Sequence, residues 1–454
     1  MKVHFISEEN TNIAFFPESK RFFKVNKKAL ELFKMIQENA EDIHICKVLN
    51  ISLEELQDYR HKFEEYAKPI MVSNNNLEGS QKVLSRLVIH ISNSCNLRCV
   101  YCYANGGIYH SEESNLSEEM LRLIIRRFYQ EFDKILMIQF FGGEPLINLP
   151  LIKSACEKIR KIDEERGYLT KFGLVTNGTL INDDFIEVAK EYEISVTISY
   201  DGDVVVNNML RKFPNGEGVS DIVVKNAKKL KQETNLLQTI EVTYTRQHYQ
   251  NNVIIMDIIK HIRKEIPETP IHLIPAGGNE FCTYTLPHYE MFKESVDDIF
   301  RENENNLYEY NYSLVERLIN ALTNREVYSS VICDAGVGTL SVSVKGDVYP
   351  CFMFTDNNDM ILGNIKDDNV FKSKDYISKI QKIKEFSIKE NNPKCLNCFI
   401  KKMCNGCLGL NMMHSGEPFV LDDQTCNMFC EMAEKVIINI AKRVDKEKED
   451  KINV

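Results

Sequence analysis

The placement of cysteine constrains this chain more than any other feature. Of 14 cysteines in 454 residues, Cys95, Cys99 and Cys102 lie within eight residues and eight more fall between Cys333 and Cys430. Cys46, Cys156 and Cys282 stand apart. Such clustering exceeds what core filling needs, and without an export signal it reads as metal or cluster ligation rather than as disulfides. The N-terminus turns polar at Ser7 and no apolar run reaches about 18 residues, so the expected location is the cytoplasm, with no membrane partner. Lys and Arg number 56 against 66 Asp and Glu, a net charge of -10. That balance argues against nucleic acid as a partner.

The length exceeds the roughly 250 to 300 residues at which one core stops growing, so several domains are expected. Residues 1–80 read as three strands, over 3–6, 12–16 and 21–25. A helix capped by Asn26 follows, and the capping box of Ser52 and Glu55 opens another. Residues 71–76 read as an exit linker. Strand-like runs then recur at 87–91, 135–141, 172–176, 195–200, 239–244 and 271–274, with amphipathic stretches between them. Six such units predict an α/β fold, a mostly parallel sheet closed into a partial barrel, with chemistry at the C-terminal strand ends. A Rossmann sheet is the competitor, but Ser92-Asn93-Ser94-Cys95 follows the first strand where a glycine fingerprint would stand. A helical connection over 287–325 leads to a cysteine-rich tail that ends in a helix from about 428 to 445.

Cys95, Cys99 and Cys102 have C-x3-C-x2-C spacing. Three thiolates can hold three irons of a [4Fe-4S] cube and leave one iron open to a small molecule. Zinc would ask for a fourth protein ligand, and His110 is the nearest candidate. In the tail, Cys333, Cys351, Cys395, Cys398, Cys404, Cys407, Cys426 and Cys430 suffice for two four-thiolate clusters, with zinc knuckles as the alternative.

With Tyr101 before Cys102, the first group resembles the signature of the radical S-adenosylmethionine (radical SAM) enzymes. Gly142-Gly143-Glu144-Pro145 after the second long strand resembles their second signature. The resemblance implies that this glycine edge and Glu144 receive the amino group of SAM, whose amino and carboxylate groups chelate the open iron. It further implies that Ser199 and Asp201, in Ser199-Tyr200-Asp201-Gly202, approach the ribose. Asn177 faces the pocket or serves a local turn, Arg211 pairs with the SAM carboxylate or forms a surface ion pair, and Tyr101 helps to place the adenine. The tail resembles the SPASM extension with two auxiliary [4Fe-4S] clusters. Cys333, Cys351 and Cys407 are then implied for the inner cluster and Cys395, Cys398, Cys404 and Cys426 for the outer one. Only two residues separate Cys404 from Cys407 where the extension commonly has three. Cys430 therefore either closes the inner cluster or leaves that cluster an open iron.

The N-terminal pattern resembles a winged-helix-like leader-recognition domain, to which a peptide adds as a strand beside residues 21–25. A winged-helix DNA reader and a structural cap are its competitors. The resemblances together imply four parts: 1–80 for leader recognition, 81–285 for the barrel, 286–330 as a helical bridge and 331–454 for the auxiliary clusters. They imply three [4Fe-4S] clusters, SAM, a flavodoxin or ferredoxin reductant, and a ribosomally made cysteine-rich precursor peptide. The expected reaction is a thioether crosslink of the sactipeptide or ranthipeptide type. The alternatives are formylglycine formation on a sulfatase, carbon–carbon crosslinking, and a noncatalytic electron-transfer protein. Cys282 could approach the mouth of the barrel or be an ordinary buried thiol.

Overall fold

The computed structural model describes residues 3–69, 82–304, 306, 308–324 and 329–452; the expected linker at 71–76 lies outside them. The chain opens with an antiparallel sheet of β1 (His4–Glu8), β2 (Thr11–Phe16) and β3 (Arg21–Lys24), in that order. Helices α1 (Lys27–Gln37), α2 (Asp42–Leu49) and α3 (Leu53–Ala67) follow. Asn26 starts α1 by accepting from the Ala29 amide at 2.8 Å, and the Ser52–Glu55 capping box starts α3. The short α2 was not expected; its eight residues bury only Ile45 and Leu49, too few to show a period. Period-two alternation splits β2 between two cores. Ala14 and Phe16 pack with Phe33, Leu56 and Phe63, whereas Ile13 and Phe15 join the main core of the molecule.

The central region contains β4 (Val83–Leu84), β5 (Arg86–Ser92), α4 (Glu118–Glu131), β6 (Lys134–Ile135), β7 (Met137–Gly142), α5 (Leu149–Arg166), β8 (Lys171–Thr176), α6 (Asp183–Tyr192) and β9 (Ile194–Ser199). It continues through α7 (Val204–Leu210), α8 (Ser220–Glu233), β10 (Leu237–Tyr244), α9 (Arg246–Gln250), α10 (Ile255–Glu265) and β11 (Ile271–Pro275). Strands β5, β7, β8, β9, β10 and β11 are parallel and adjacent in chain order, with no reversal point of the kind a Rossmann sheet requires. The fold is therefore α/β with a partial, open barrel. The run at 135–141 is not one strand. It breaks at the exposed Leu136, and β6 pairs separately with β4.

The C-terminal third contains α11 (Glu290–Glu302), α12 (Ser313–Thr323), β12 (Thr339–Val342), β13 (Asp347–Tyr349), β14 (Gly363–Asn364), α13 (Lys374–Ser387), α14 (Pro393–Leu396), α15 (Leu408–Ser415) and α16 (Asp423–Ile452). Strand β12 pairs in parallel with β5, Thr339 opposite Arg86, so the cysteine-rich tail continues the barrel sheet to nine strands. Helix α16 begins earlier than expected and carries Cys426 and Cys430 near its start. The N-terminal sheet is bound to it by Glu8–Lys435 at 2.5 Å and His4–Glu434 at 2.7 Å. Among the described residues no helix is long and apolar enough to cross a membrane.

Candidate functional site

Strand β5 delivers its end to the C-terminal edge of the sheet, and the next loop carries all three cysteines of the first group. Backbone hydrogen bonds fix that loop. The amides of Gly143 and Glu144 donate to the carbonyls of Ser92 and Ser94 at 2.8 and 2.9 Å, and those of Arg98 and Val100 donate to Lys212 and Leu210 at 2.8 and 2.9 Å. Glycine is required by the close approach. A Cβ on Gly143 would lie 2.3 Å from the Ser94 carbonyl oxygen, and one on Gly107, at φ +91°, would lie 2.7 Å from Cys95 Cβ. The glycine edge of Gly142 and Gly143 thus packs on the cysteine loop itself, and Pro145 opens the turn that ends it.

Glu144 is fully buried. It accepts from Thr176 Oγ1 at 2.8 Å, the Asn177 amide at 2.8 Å and the Leu146 amide at 3.1 Å. A carboxylate has about four acceptor positions, so three are engaged by the scaffold and little remains for a bound ammonium. Burial pushes its pKa up and these hydrogen bonds pull it back. Asn177 serves the local turn and also touches the cysteine loop. Its Oδ1 accepts from the Thr179 amide at 3.0 Å in a local turn, while its Nδ2 donates to Asn96 Oδ1 at 2.9 Å and lies 3.7 Å from Cys95 Sγ. Burial, with Glu144 adding to it, pushes the Cys95 thiol up to about 12; burial also raises Cys99, against which Arg211 acts.

Three of the remaining candidates form one buried chain. Arg211 Nη1 donates to Tyr101 Oη at 2.7 Å, and Tyr101 Oη donates to Asp201 Oδ2 at 2.7 Å. Burial pushes the Tyr101 phenol well up and keeps it a donor. Asp201 Oδ1 accepts from the Thr243 amide at 3.0 Å. Arg211 is therefore not at the surface, and its Nε has no hydrogen-bond partner. Ser199 stands half-buried at the end of β9, opposite Glu241 on β10. Sequence reasoning missed Glu241. Ile240, Val242 and Tyr244 face the main core, which turns Glu241 to the other side of β10. There burial raises its carboxyl, Arg211 acts against that rise and Asp201 adds to it. An acidic residue at the centre of an apolar parallel strand was the available signal. Cys282, half-buried, lies 3.5 Å from Asn279 Oδ1 and close to Tyr284, on which Cys102 also acts.

In the tail, Cys333, Cys351 and Cys407 are neighbours: beyond the rise due to burial, Cys407 and Cys333 raise Cys351, and Cys333 raises Cys407. Cys395, Cys398, Cys404 and Cys426 form a second neighbourhood. Cys430 belongs to the second. Its Sγ is 3.8 Å from Cys398 Sγ, and that hydrogen bond pulls the Cys398 thiol down and pushes the Cys430 thiol up. The arrangement gives no support to Cys430 closing the inner group. Among the described residues no three His, Cys, Asp or Glu side chains converge where one metal ion could be held. All-thiol sets of this kind suit iron–sulfur clusters, whose ligands bind separate corners.

Residues 89–243 match the radical SAM superfamily, and residues 333–399 match the SPASM iron–sulfur cluster-binding domain. The radical SAM cyclopropyl synthase TigE of Paramaledivibacter caminithermalis is 24% identical over 397 residues, covering 82% of this chain and 77% of that protein. A cysteine-type anaerobic sulfatase-maturating enzyme of Clostridium novyi is 25% identical over 365 residues, covering 77% and 93%. Among solved structures, anSMEcpe with bound AdoMet has a TM-score of 0.65 at 20% identity, covering 79% of this chain and 99% of that one. Streptococcus suis SuiB bound to precursor peptide SuiA has a TM-score of 0.53 at 19% identity, covering 93% and 98%.

Proposed function

This chain is a radical SAM enzyme with a SPASM iron–sulfur domain, and from that premise we propose that it matures a ribosomally made, cysteine-rich peptide by joining a cysteine sulfur to a carbon of another residue. The observation that carries the peptide reading is the edge of β3, which among the described residues pairs only with β2 and lies at the end of a sheet packed against the rest of the molecule. An extended leader can add there as a fourth strand. Coverage supports the same reading: the fold of SuiB, solved with its precursor peptide, extends over 93% of this chain, and that of anSMEcpe over 79%.

In this reading Cys95, Cys99 and Cys102 hold three corners of one cube, Cys333, Cys351 and Cys407 three corners of a second, and Cys395, Cys398, Cys404 and Cys426 a third with Cys430 beside it, which makes three clusters. The reduced cube and SAM supply a 5'-deoxyadenosyl radical when bound. The protein positions and shields. Asn177 and the Gly142–Gly143 edge fix the cysteine loop, Tyr101 holds Arg211 and Asp201 in place, and Ser199 and Asp201 are assigned to the ribose. Arg211, with one nitrogen unpartnered, is the candidate for the SAM carboxylate. The reductant is assigned as a flavodoxin or ferredoxin. The four parts are assigned as 1–80, 81–285, 286–330 and 331–454, with leader recognition in the first.

A second reading, formylglycine formation, is favoured by the likeness to the sulfatase-maturating enzyme. Anaerobic turnover with a thiol-rich precursor, followed by alkylation and tandem mass spectrometry, separates the two. A thioether removes one alkylatable thiol and the mass of two hydrogens in a form that reductants do not reverse. An aldehyde at a single residue would instead establish the second reading.

A further inference from the structure

The two thiol neighbourhoods of the tail differ in the fixed charges around them. After α13 the chain makes one turn, Lys389–Asn391, and Lys389 is only 3% exposed. Its Nζ donates to the carbonyls of Ser329 at 3.0 Å, Lys401 at 2.5 Å and Cys404 at 2.5 Å. An ammonium has three donors and here meets three acceptors; a neutral amine would leave one of these carbonyls unpaired. Burial pushes its pKa down, and the thiolates of Cys404, Cys395 and Cys398, and then Glu390, act against that fall. Around the outer group Lys389 acts on Cys395, Cys398 and Cys404 and Lys394 on Cys395 and Cys426, against Glu390 on Cys395 and Asp422 on Cys426. Around the inner group one carboxylate faces one cation. The Asp334 carboxylate acts on Cys333 and Cys407, and Arg86 acts on Cys351.

We propose that Lys389 is a positioning residue whose buried positive charge makes the outer cysteine site more readily reduced than the inner one. A cube gains negative charge on reduction, so a cation fixed beside the segment that carries its thiols would stabilise the reduced form, strongly so where water is excluded. The inner site has Asp334 beside two of its thiols and gains no such net charge. An electron shared between the two auxiliary sites therefore rests on the outer one. The turn that supplies two of the three carbonyls also touches the N-terminal sheet, where Lys401 and Lys402 pair with Glu18 at 3.4 and 2.7 Å. The charge is thus clamped between two parts of the molecule.

This inference rests on the two-cube reading of the tail. It is tested on full-length protein carrying Cys95→Ala, Cys99→Ala and Cys102→Ala, so that only auxiliary signals remain in a potentiometric titration followed by electron paramagnetic resonance. Lys389→Met and Lys389→Gln should shift the outer reduction equilibrium about tenfold toward the oxidised form, about 59 mV for one electron, and leave the inner signal in place. Lys389→Arg should keep the parental value. Glutamine retains donors without charge, so a structural clip alone predicts no shift with Gln. An unmoved outer potential in both neutral variants, or an equal shift of both signals, overturns the proposal. Asp334→Asn supplies a second measurement if the neutral variants do not fold: it should raise the inner potential and narrow the gap, and an unchanged gap also overturns the proposal. Iron is counted first. About 8 Fe per chain supports the two-cube reading, whereas about 4 overturns it together with the role of Lys389.

Discussion

The cysteine loop at the barrel mouth and the cysteine-rich tail both gather thiols, but by different means. The loop is tied backbone to backbone with Gly143, Glu144, Leu210 and Lys212 and rests on the main core through Cys95 and Cys99. In the tail, Cys333, Cys351 and Cys395 pack on a small separate core of Ile332, Tyr349, Phe354, Met360, Ile383 and Leu408, while Cys398, Cys404 and Cys430 reach the main core; short strands, single turns and the start of α16 carry them. A thiol set held by a parallel sheet keeps its shape without a ligand. One held by short turns draws part of its folding energy from whatever it ligates.

The largest expected effect separates the two regions outright. Changing Cys95, Cys99 and Cys102 to Ala should abolish SAM cleavage and lower iron from about 12 to about 8 per chain while leaving amide exchange in the barrel strands unchanged. Changing Cys395, Cys398, Cys404 and Cys426 to Ser should instead speed exchange over 393–430 on the order of a hundredfold. Loss of barrel protection in the first variant, or full tail protection in the second, would break the comparison.

Two smaller effects sharpen it. Gly143→Ala forces a Cβ against the Ser94 carbonyl and should cost about 1 to 3 kcal/mol, read by chemical unfolding. Gly167→Ala has open space around it and should cost only about 1 kcal/mol for its left-handed φ. Equal costs would mean that the glycine edge does not hold the loop. Tyr101→Phe removes the bridge between Arg211 and Asp201 and should cost about 1 to 3 kcal/mol of stability, with weaker SAM binding by calorimetry. Wild-type values for both would reduce the bridge to an incidental contact.

The parallel strands and the first cysteine group were legible because each is a local pattern: a short apolar run, a fixed spacing, a capping residue. The break at Leu136 was not, because it depends on β4 pairing with Lys134 and Ile135, which takes only the first residue of that run. Nor was the junction of β12 with β5, since Thr339 and Arg86 are far apart in the chain and neither strand shows which partner it will find. Site chemistry divided in the same way. The glycine and cysteine motifs could be read directly, while the chain Arg211–Tyr101–Asp201 joins residues from three separate segments. Glu241 was missed although an acid inside a strand was there to be read, whereas the burial of Lys389 shows only in the fold, because the turn after α13 is unremarkable as an isolated segment.

The smallest expected effect lies at the seam between the two regions. His90 on β5 is fully buried, its Nε2 is 3.1 Å from Thr355 Oγ1 in the tail, and its Nδ1 has no partner. Burial lowers its pKa to about 3, so the folded protein holds the ring neutral while the unfolded chain binds a proton below about 6.5. The sign follows: the contribution is complete above the unfolded value and is lost as pH falls from about 6.5 toward about 3, because the unfolded state then binds the extra proton. Between pH 7.5 and 5.5 the stability advantage of wild type over His90→Gln should shrink by about 1 kcal/mol, measured from urea midpoints at both values. A constant difference would mean that His90 is protonated or solvated in the folded state, and that the seam between sheet and tail admits water.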